Sequence, residues 1–223
     1  MQGKLIVLEG LDGSGKATQA KLLLETLLRD GRKVRGISFP NYGSESSALI
    51  RMYLSGSFGK DPDEVNAYAA SSFYAVDRYA GMKQDWGAFY RDGGILIADR
   101  YTTSNAVHQC CKLNTDERDC FLDWLFSFEY GKLGLPKPDL VLYLRLPVAF
   151  SQKLMQDRYH GDEAKKDIHE RSEAYLLSAH EAADYCAQKF GWKTVECTDG
   201  GVLRSIEAIG DEVRSAAEAV LAG

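Results

Sequence analysis

A glycine-rich turn carries the residues of this chain that are best suited to chemistry, in the stretch GLDGSGKATQ that begins at Gly10. Gly10, Gly15 and Lys16 fit the pattern G-x-x-x-x-G-K-[ST], whose backbone N–H groups surround phosphate oxygens while the lysine reaches the outer phosphates. The last position of the pattern normally supplies a hydroxyl to Mg²⁺, and here it is Ala17. Thr18 follows, but one helical step rotates a side chain by roughly 100°, so Thr18 should not take over that contact. The sequence therefore predicts a phosphate site whose own metal contact is weakened.

The elements that must position this turn alternate between strands and helices. Apolar runs predict five strands, at residues 5–9, 33–39, 94–99, 140–144 and 192–197. Helical spacing and capping residues predict helices at about 20–28, 46–55, 63–90, 114–128, 151–158 and 167–190 and at the end of the chain. This alternation favours a mostly parallel sheet covered on both faces, whose ligands bind beyond the carboxyl ends of the strands. The polar residues just after each strand are therefore the candidates for a site.

Composition excludes several classes of protein. The chain has 223 residues, which suits one α/β domain, and a net charge of −5, which gives no overall basic field for nucleic acid. The apolar run near the first residue is too short for a signal peptide or a membrane span. The five cysteines form no CxxC pair. They predict free thiols in a reducing cytoplasm rather than a zinc site or a disulfide framework.

Four further stretches stand in order along the chain. They are Phe39-Pro40, SFYAVDRYA from Ser72, DRYTTSNAVHQ from Asp99, and a polar segment at 158–166. Together with the glycine-rich turn, they make the chain resemble the thymidylate kinase family over essentially its whole length. The resemblance implies an α/β fold, the P-loop NTPase fold. It has three layers, α/β/α, and a central five-stranded parallel sheet of order 2-3-1-4-5. The expected organisation is one domain, 1–223, with a short lid at about 158–167.

The resemblance also implies an activity. Members of the family transfer the γ-phosphoryl of ATP, with Mg²⁺, to dTMP and form dTDP and ADP in dTTP synthesis, and a homodimer is expected. His108 stands where the family often has tyrosine, and Tyr42 where some members have arginine. These departures leave open another pyrimidine nucleoside or deoxynucleoside monophosphate kinase. Ala17 leaves open a nucleotide-binding protein of low turnover.

Site residues follow from the resemblance by position. The expected catalytic residues are Lys16, Asp12, Arg100 and Arg158. The expected ATP-binding residues are Gly10, Leu11, Asp12, Gly13, Ser14, Gly15, Lys16, Ala17 and Thr18. The expected dTMP-binding residues are Asp12, Phe39, Pro40, Tyr74, Arg78, Arg100, Ser104, Asn105, His108 and Gln109.

For one pair of these residues, the spacing in the sequence supports the same role independently of the resemblance. Tyr74 and Arg78 are four positions apart on a predicted helix and therefore share a face. An aromatic ring and a guanidinium fork can recognise a pyrimidine by stacking and hydrogen bonding. The alternatives are that Tyr74 or its neighbour Phe73 is a plain core residue, and that Arg78 forms a surface ion pair with Asp77 or Asp85.

The cation that stabilises the moving phosphoryl group is expected in the lid, because residues 11–14 of the turn include no basic side chain. Arg158 is the first choice because a guanidinium contacts two phosphate oxygens, and Lys165 and Lys166 are the other candidates. Either lysine could instead belong to a solvated run of charges. Asp99 is expected to hold Mg²⁺ or its waters, or else to brace a neighbouring arginine.

Overall fold

Five parallel strands form the centre of the molecule in a computed structural model that describes residues 2–159 and 173–222. The strands are β1 (Lys4–Glu9), β2 (Val34–Ser38), β3 (Ile95–Asp99), β4 (Leu140–Arg145) and β5 (Lys193–Glu196). They lie in the order β2-β3-β1-β4-β5, which confirms the predicted architecture and strand order. β1 is central, and five of its six residues are buried because helices cover both faces of the sheet.

The helices divide between the two faces of the sheet. They are α1 (Lys16–Arg29), α2 (Ala48–Leu54), α3 (Ala67–Gly81), α4 (Gly87–Arg91), α5 (Thr102–His108), α6 (Thr115–Phe126), α7 (Val148–Tyr159), α8 (Glu173–Phe190) and α9 (Ile206–Leu221). The side chains of α1 and α9 pack with alternate strand residues such as Ile6 and Leu8 on one face. A small antiparallel hairpin, β6 (Thr198–Asp199) and β7 (Val202–Leu203), precedes α9. No helix among the described residues is long and apolar enough to cross a membrane.

The structure differs from the predicted helix at 63–90. A 3₁₀ turn at Pro62–Glu64 comes first, and α3 begins only at Ala67, after Asn66 accepts a hydrogen bond from the N–H of Ala69. A π-helical segment, Met82–Trp86, then joins α3 to α4. The asparagine cap satisfies a helix N–H that has no partner inside the helix, so it fixes the start of α3 within the predicted span.

The predicted helix at 114–128 also continues differently. Asn114 caps α6 as expected, but a π-helical segment, Ser127–Lys132, follows α6. α5 (Thr102–His108) directly follows β3 and was not among the predicted helices. The π-helical segment and α5 matter for function because they bring polar side chains to the carboxyl edge of the sheet.

Candidate active site

The glycine-rich turn between β1 and α1 can adopt its path only with glycine at key positions. Gly10, Gly13 and Gly15 have φ angles of +151°, +82° and +86°. A Cβ at Gly10 would lie 2.8 Å from the carbonyl oxygen of Leu144, and one at Gly13 would lie 2.6 Å from that of Ser151. No side chain caps the start of α1, so its first N–H groups can face an anion.

Lys16 is buried in this loop. Its Nζ donates a hydrogen bond to the carbonyl oxygen of Leu11 at 2.7 Å and lies 3.9 Å from Asp12 Oδ1. Burial, together with the positive charge of Arg100, lowers the pKa of Lys16 to about 8. The hydroxyl of Ser14 is also buried and has no hydrogen-bond partner among the described residues. The loop therefore holds a cation and a donor that phosphate oxygens would satisfy.

Arg100 joins the loop to the rest of the site. Its φ angle of +67° is rare for a residue with a side chain and is typical of strained functional positions. Nη2 donates to Asp12 Oδ1 at 2.5 Å, and Nη1 lies 3.1 Å from His108 Nε2. Burial alone would raise the pKa of Asp12, but the charges of Arg100 and Lys16 outweigh it and hold that pKa well below its usual range. Asp12 is thus ionised and fixes the guanidinium.

Glu9 links the end of β1 to α5. Its carboxylate is fully buried, and Oε1 accepts from the N–H of Gly10 at 2.9 Å. Oε2 accepts from the hydroxyls of Thr103 and Ser104, both at 2.7 Å. The sequence pointed to Glu9 only as the last residue of a strand. These contacts give it the role of holding α5 against the loop.

A cavity of about 500 Å³, counting the part open to solvent, lies beside Arg100. It is lined by Phe39, Pro40, Tyr42, Leu54, Tyr74, Arg78, Arg100, Tyr101, Ser104, Asn105, His108 and Gln109. Nine of the ten residues predicted to bind dTMP are in this lining, and the tenth, Asp12, contacts Arg100. Their assignment to a particular nucleotide stays a prediction.

Of the two adjacent aromatic residues considered for stacking on a base, only the predicted one lines the cavity. Tyr74 lines the cavity, whereas the ring of Phe73 packs on Phe58 with centroids 5.7 Å apart. Neither of the ion pairs considered for Arg78 forms. Asp77 accepts from the N–H of Asn41, and Asp85 pairs with Arg35.

Arg78 is buried and pairs with Glu129, through two hydrogen bonds of 2.7 and 2.6 Å. Burial alone would lower the pKa of Arg78, but Glu129 outweighs it and raises that pKa. Glu129 is 51 residues away in the sequence and lies in the π-helical segment Ser127–Lys132. No local pattern pointed to it, because a glutamate just after a predicted helix is ordinarily a solvated residue.

A second cavity, of about 750 Å³ with its open part, lies beside the glycine-rich turn. It is lined by Gly13, Ser14, Gly15, Thr18, Gln19, Leu146, Leu154, Cys197, Leu203, Arg204, Ile206 and Ile209. This cavity is lined largely by apolar groups. Sequence reasoning missed the residues that the segment after β5, the hairpin and α9 contribute, since nothing in their local pattern marks a site.

Asp99 is the residue best placed to help hold a metal ion. Its Oδ1 is buried and has no hydrogen-bond partner among the described residues, which does not support a hydrogen-bonded brace through that atom. Mg²⁺ usually takes one or two carboxylates, with substrate phosphates and water completing its shell. One orphaned carboxylate oxygen beside a phosphate loop fits that need. Ala17 offers no oxygen there from its side chain and is exposed.

The predicted lid falls mostly outside the described residues. Arg158 belongs to α7, but its side chain is not among those described. Lys165 and Lys166 lie outside the described residues. Their expected part in catalysis stays a prediction.

This sheet order, with a phosphate loop between the first strand and first helix, defines the chain as a protein of the P-loop NTPase fold. A family model for thymidylate kinase matches residues 8–199. The Mycobacterium tuberculosis thymidylate kinase is 31% identical over 190 residues, which are 84% of this chain and 87% of that protein. The human thymidylate kinase is 29% identical over 224 residues, which cover 97% and 91%. The chain belongs to the thymidylate kinase family, as its motifs predict.

A solved structure supports the fold. A thymidylate kinase from Candida albicans superposes with a TM-score of 0.72, covering 98% of this chain and 92% of that one at 24% sequence identity. At this identity the match bears on the architecture alone.

Proposed function

We propose that this protein transfers the γ-phosphoryl group of Mg-ATP to dTMP and forms dTDP and ADP, a step in dTTP synthesis. The observation that carries this proposal is the position of Arg100. It lines the first cavity, and through Asp12 it contacts the phosphate loop. A nucleotide whose base fills the cavity would bring its phosphate to Arg100, next to the loop that binds the phosphates of the donor.

Catalysis in this arrangement is positioning and charge stabilisation. An oxygen of the dTMP phosphate attacks the γ-phosphorus, the bond from that phosphorus to the β-phosphate oxygen breaks, and ADP leaves. The loop N–H groups and Lys16 hold the donor phosphates, and Arg100 holds the acceptor phosphate in line. Asp12 keeps Arg100 in place. No side chain forms a covalent intermediate.

Two cavities divide the recognition of the bases. Tyr74 stacks on the thymine ring, and Arg78 contacts its edge. The adenine of ATP occupies the second cavity, where Leu154 and Ile209 supply apolar contact beside the loop. Arg204 also lines that cavity, and its guanidinium can stack on a flat ring.

Asp99 is the residue that would hold Mg²⁺, directly or through water, together with the ATP phosphates. When bound, the ion neutralises negative charge that builds up on the phosphate oxygens. Water would replace the hydroxyl that Ala17 lacks. Arg158 of the lid supplies the remaining cation at the transferred group.

Assembly and location belong to the same proposal. A homodimer is supported by the exposed apolar side chains of two neighbouring helices, Leu49 and Met52 on α2 and Tyr68 and Val76 on α3. Light scattering on a size-exclusion column tests it, with a mass of one chain, 24.7 kDa, as the contrary result. A cytoplasmic location is supported by the free thiols of the five cysteines.

The test of the reaction is an acceptor panel. Purified protein with Mg-ATP is incubated with dTMP, dUMP, UMP, CMP or AMP, and the nucleotides are separated and quantified. We expect dTDP and ADP in equal amounts, with dTMP the preferred acceptor. Preference for dUMP or another pyrimidine would support the alternative kinase. Tight ATP binding without ADP release that depends on an acceptor would support the nucleotide-binding protein of low turnover.

A further inference from the structure

We infer that Glu129 sets the hydrogen-bond pattern that the base cavity presents, so that the cavity accepts a pyrimidine with a ring N–H beside a carbonyl and rejects cytosine. This inference rests on the proposed function, because it names what selects the acceptor base. Glu129 is absent from the cavity lining and is a positioning residue.

The carboxylate of Glu129 is fully buried, and each of its hydrogen-bond partners among the described residues is a donor. Oε2 accepts from Arg78 Nε and from the Thr102 hydroxyl, both at 2.7 Å. Oε1 accepts from Arg78 Nη2 at 2.6 Å and from Asn105 Nδ2 at 3.1 Å. Each oxygen therefore has a partner for each of its two lone pairs. A carboxylate is the only side-chain group that accepts at all four positions and donates at none.

Glu129 fixes which end of the Asn105 amide meets the cavity. Asn105 Nδ2 donates to Glu129 Oε1 and also to the carbonyl oxygen of Ser71, at 3.1 Å in both cases. Both partners are acceptors, so only the NH₂ end of the amide can face them. Because Asn105 lines the cavity, its Oδ1 is the atom left for a bound base. The cavity thus presents an acceptor at this position.

Glu129 also fixes the donor beside it. The carboxylate engages Arg78 Nε and Nη2, and Nη1 donates to the carbonyl oxygen of Tyr101 at 3.3 Å. An arginine has five N–H groups, so two remain beyond those three among the described contacts. Arg78 lines the same cavity, and its guanidinium can donate hydrogen bonds but cannot accept them. The cavity therefore presents a donor from Arg78 and an acceptor from Asn105.

This pair matches one class of pyrimidine. In thymine and uracil, O4 accepts and the adjacent N3–H donates, so O4 meets Arg78 and N3–H meets Asn105. In cytosine the donor and acceptor positions are exchanged, because the exocyclic amine donates and N3 accepts. Cytosine would place donor against donor at Arg78 and acceptor against acceptor at Asn105, and an unmatched buried polar pair discriminates strongly.

The substitution that isolates this role is Glu129→Gln, which keeps the shape and replaces one acceptor by a donor. In either orientation, the new NH₂ faces an N–H of Arg78. In one of these two orientations, the new NH₂ also faces the NH₂ of Asn105. The Asn105 amide can then rotate by half a turn, so that its NH₂ faces the cavity. We expect the ratio of kcat/KM for dTMP to kcat/KM for dCMP to fall at least tenfold, mainly through a higher KM for dTMP.

Two further variants separate this role from simple support of the fold. Thr102→Val removes one donor to Glu129 and leaves its charge, and Glu129→Asp retains four acceptor lone pairs. We expect the dTMP to dCMP ratio in both variants to stay within threefold of the wild-type ratio, even where both rates fall. Thermal unfolding is recorded for every variant to show which are folded.

The outcomes distinguish the claims. If Glu129→Gln lowers kcat/KM for dTMP and dCMP by the same factor, Glu129 only supports the fold and the inference fails. If that variant does not fold, Glu129→Asp decides, and a tenfold loss of the ratio there overturns the inference. Wild-type protein that phosphorylates dTMP no better than dCMP would also overturn the inference, whereas wild-type protein that does not phosphorylate dTMP at all would overturn the proposed function.

Discussion

The base end and the phosphate end of the active site are built in opposite ways. At the base end, Arg78 and Glu129 are buried against each other, and the protein itself satisfies the carboxylate. At the phosphate end, burial and Arg100 lower the pKa of Lys16, and a hydroxyl of Ser14 lacks a partner among the described residues. The pair of Arg78 and Glu129 forms without a ligand. The phosphate end becomes complete only when phosphate oxygens enter.

This difference assigns the selection of the base to the base end and the transfer of the phosphoryl group to the phosphate end. A preformed donor and acceptor pair can reject a wrong base at little cost in reorganisation. An electropositive loop stabilises charge on the moving phosphoryl group, and that charge is largest in the transition state. Substitutions at the phosphate end should therefore change turnover, and those at the base end should change folding stability and acceptor choice.

The largest effect is expected at Lys16. We predict that Lys16→Met lowers kcat by about 10³-fold, the size found when one charge-stabilising donor is removed. The melting temperature should not fall, because the substitution removes a partly desolvated charge. The matched control is Lys21→Met on the exposed side of α1, where Lys21 pairs with Glu25. Equal losses of turnover in the two variants would contradict the assigned role.

The next largest effect is on stability at the base end. Arg78→Met leaves the Glu129 carboxylate buried without its cation, and we predict a loss of about 3 kcal/mol in the free energy of unfolding. Arg100→Met should cost less stability, because its partner Asp12 has a side chain that is 30% exposed. Urea unfolding of the two variants measures the difference. A larger loss for Arg100→Met would reverse the comparison.

The pKa of Lys16 gives a pH prediction with a definite sign. Between about pH 8 and 10.5, the folded protein has lost the Lys16 proton that the unfolded chain retains. Unfolding then takes up a proton, so this lysine makes the free energy of unfolding rise with pH across that window. In Lys16→Met this contribution is absent, and the wild-type minus mutant difference should increase above pH 8. A flat difference across pH 7 to 10 would contradict the lowered pKa.

The smallest effect is expected at position 17. Ala17→Thr restores a hydroxyl at the start of α1, and we predict that the Mg²⁺ concentration for half-maximal rate falls about threefold, because one protein oxygen replaces a water in a mostly hydrated shell. Rates are measured at saturating ATP and dTMP over a series of Mg²⁺ concentrations. An unchanged midpoint would mean that position 17 does not bear on the metal.

Local patterns in the sequence predicted the sheet and the phosphate loop, whereas the residues that line the first cavity were predicted from the family resemblance. Strand ends and a glycine-rich turn are local features, and parallel strands bring their carboxyl ends together. Glu129 could not be predicted from the sequence, because its role depends on its contact with Arg78, 51 positions away. It also depends on a π-helical segment that no local sequence pattern predicts. The second cavity was missed in the same way, since Arg204 and Ile209 meet the loop only through the fold.

The most direct test of the separation between the two ends is calorimetric titration of dTMP into wild-type protein and Lys16→Met, beside their turnover with Mg-ATP. We predict that Lys16→Met binds dTMP within about threefold of wild type while its turnover falls about 10³-fold, since the base end is intact. If dTMP affinity falls by as much as turnover does, the two ends act as one unit, and the account is wrong.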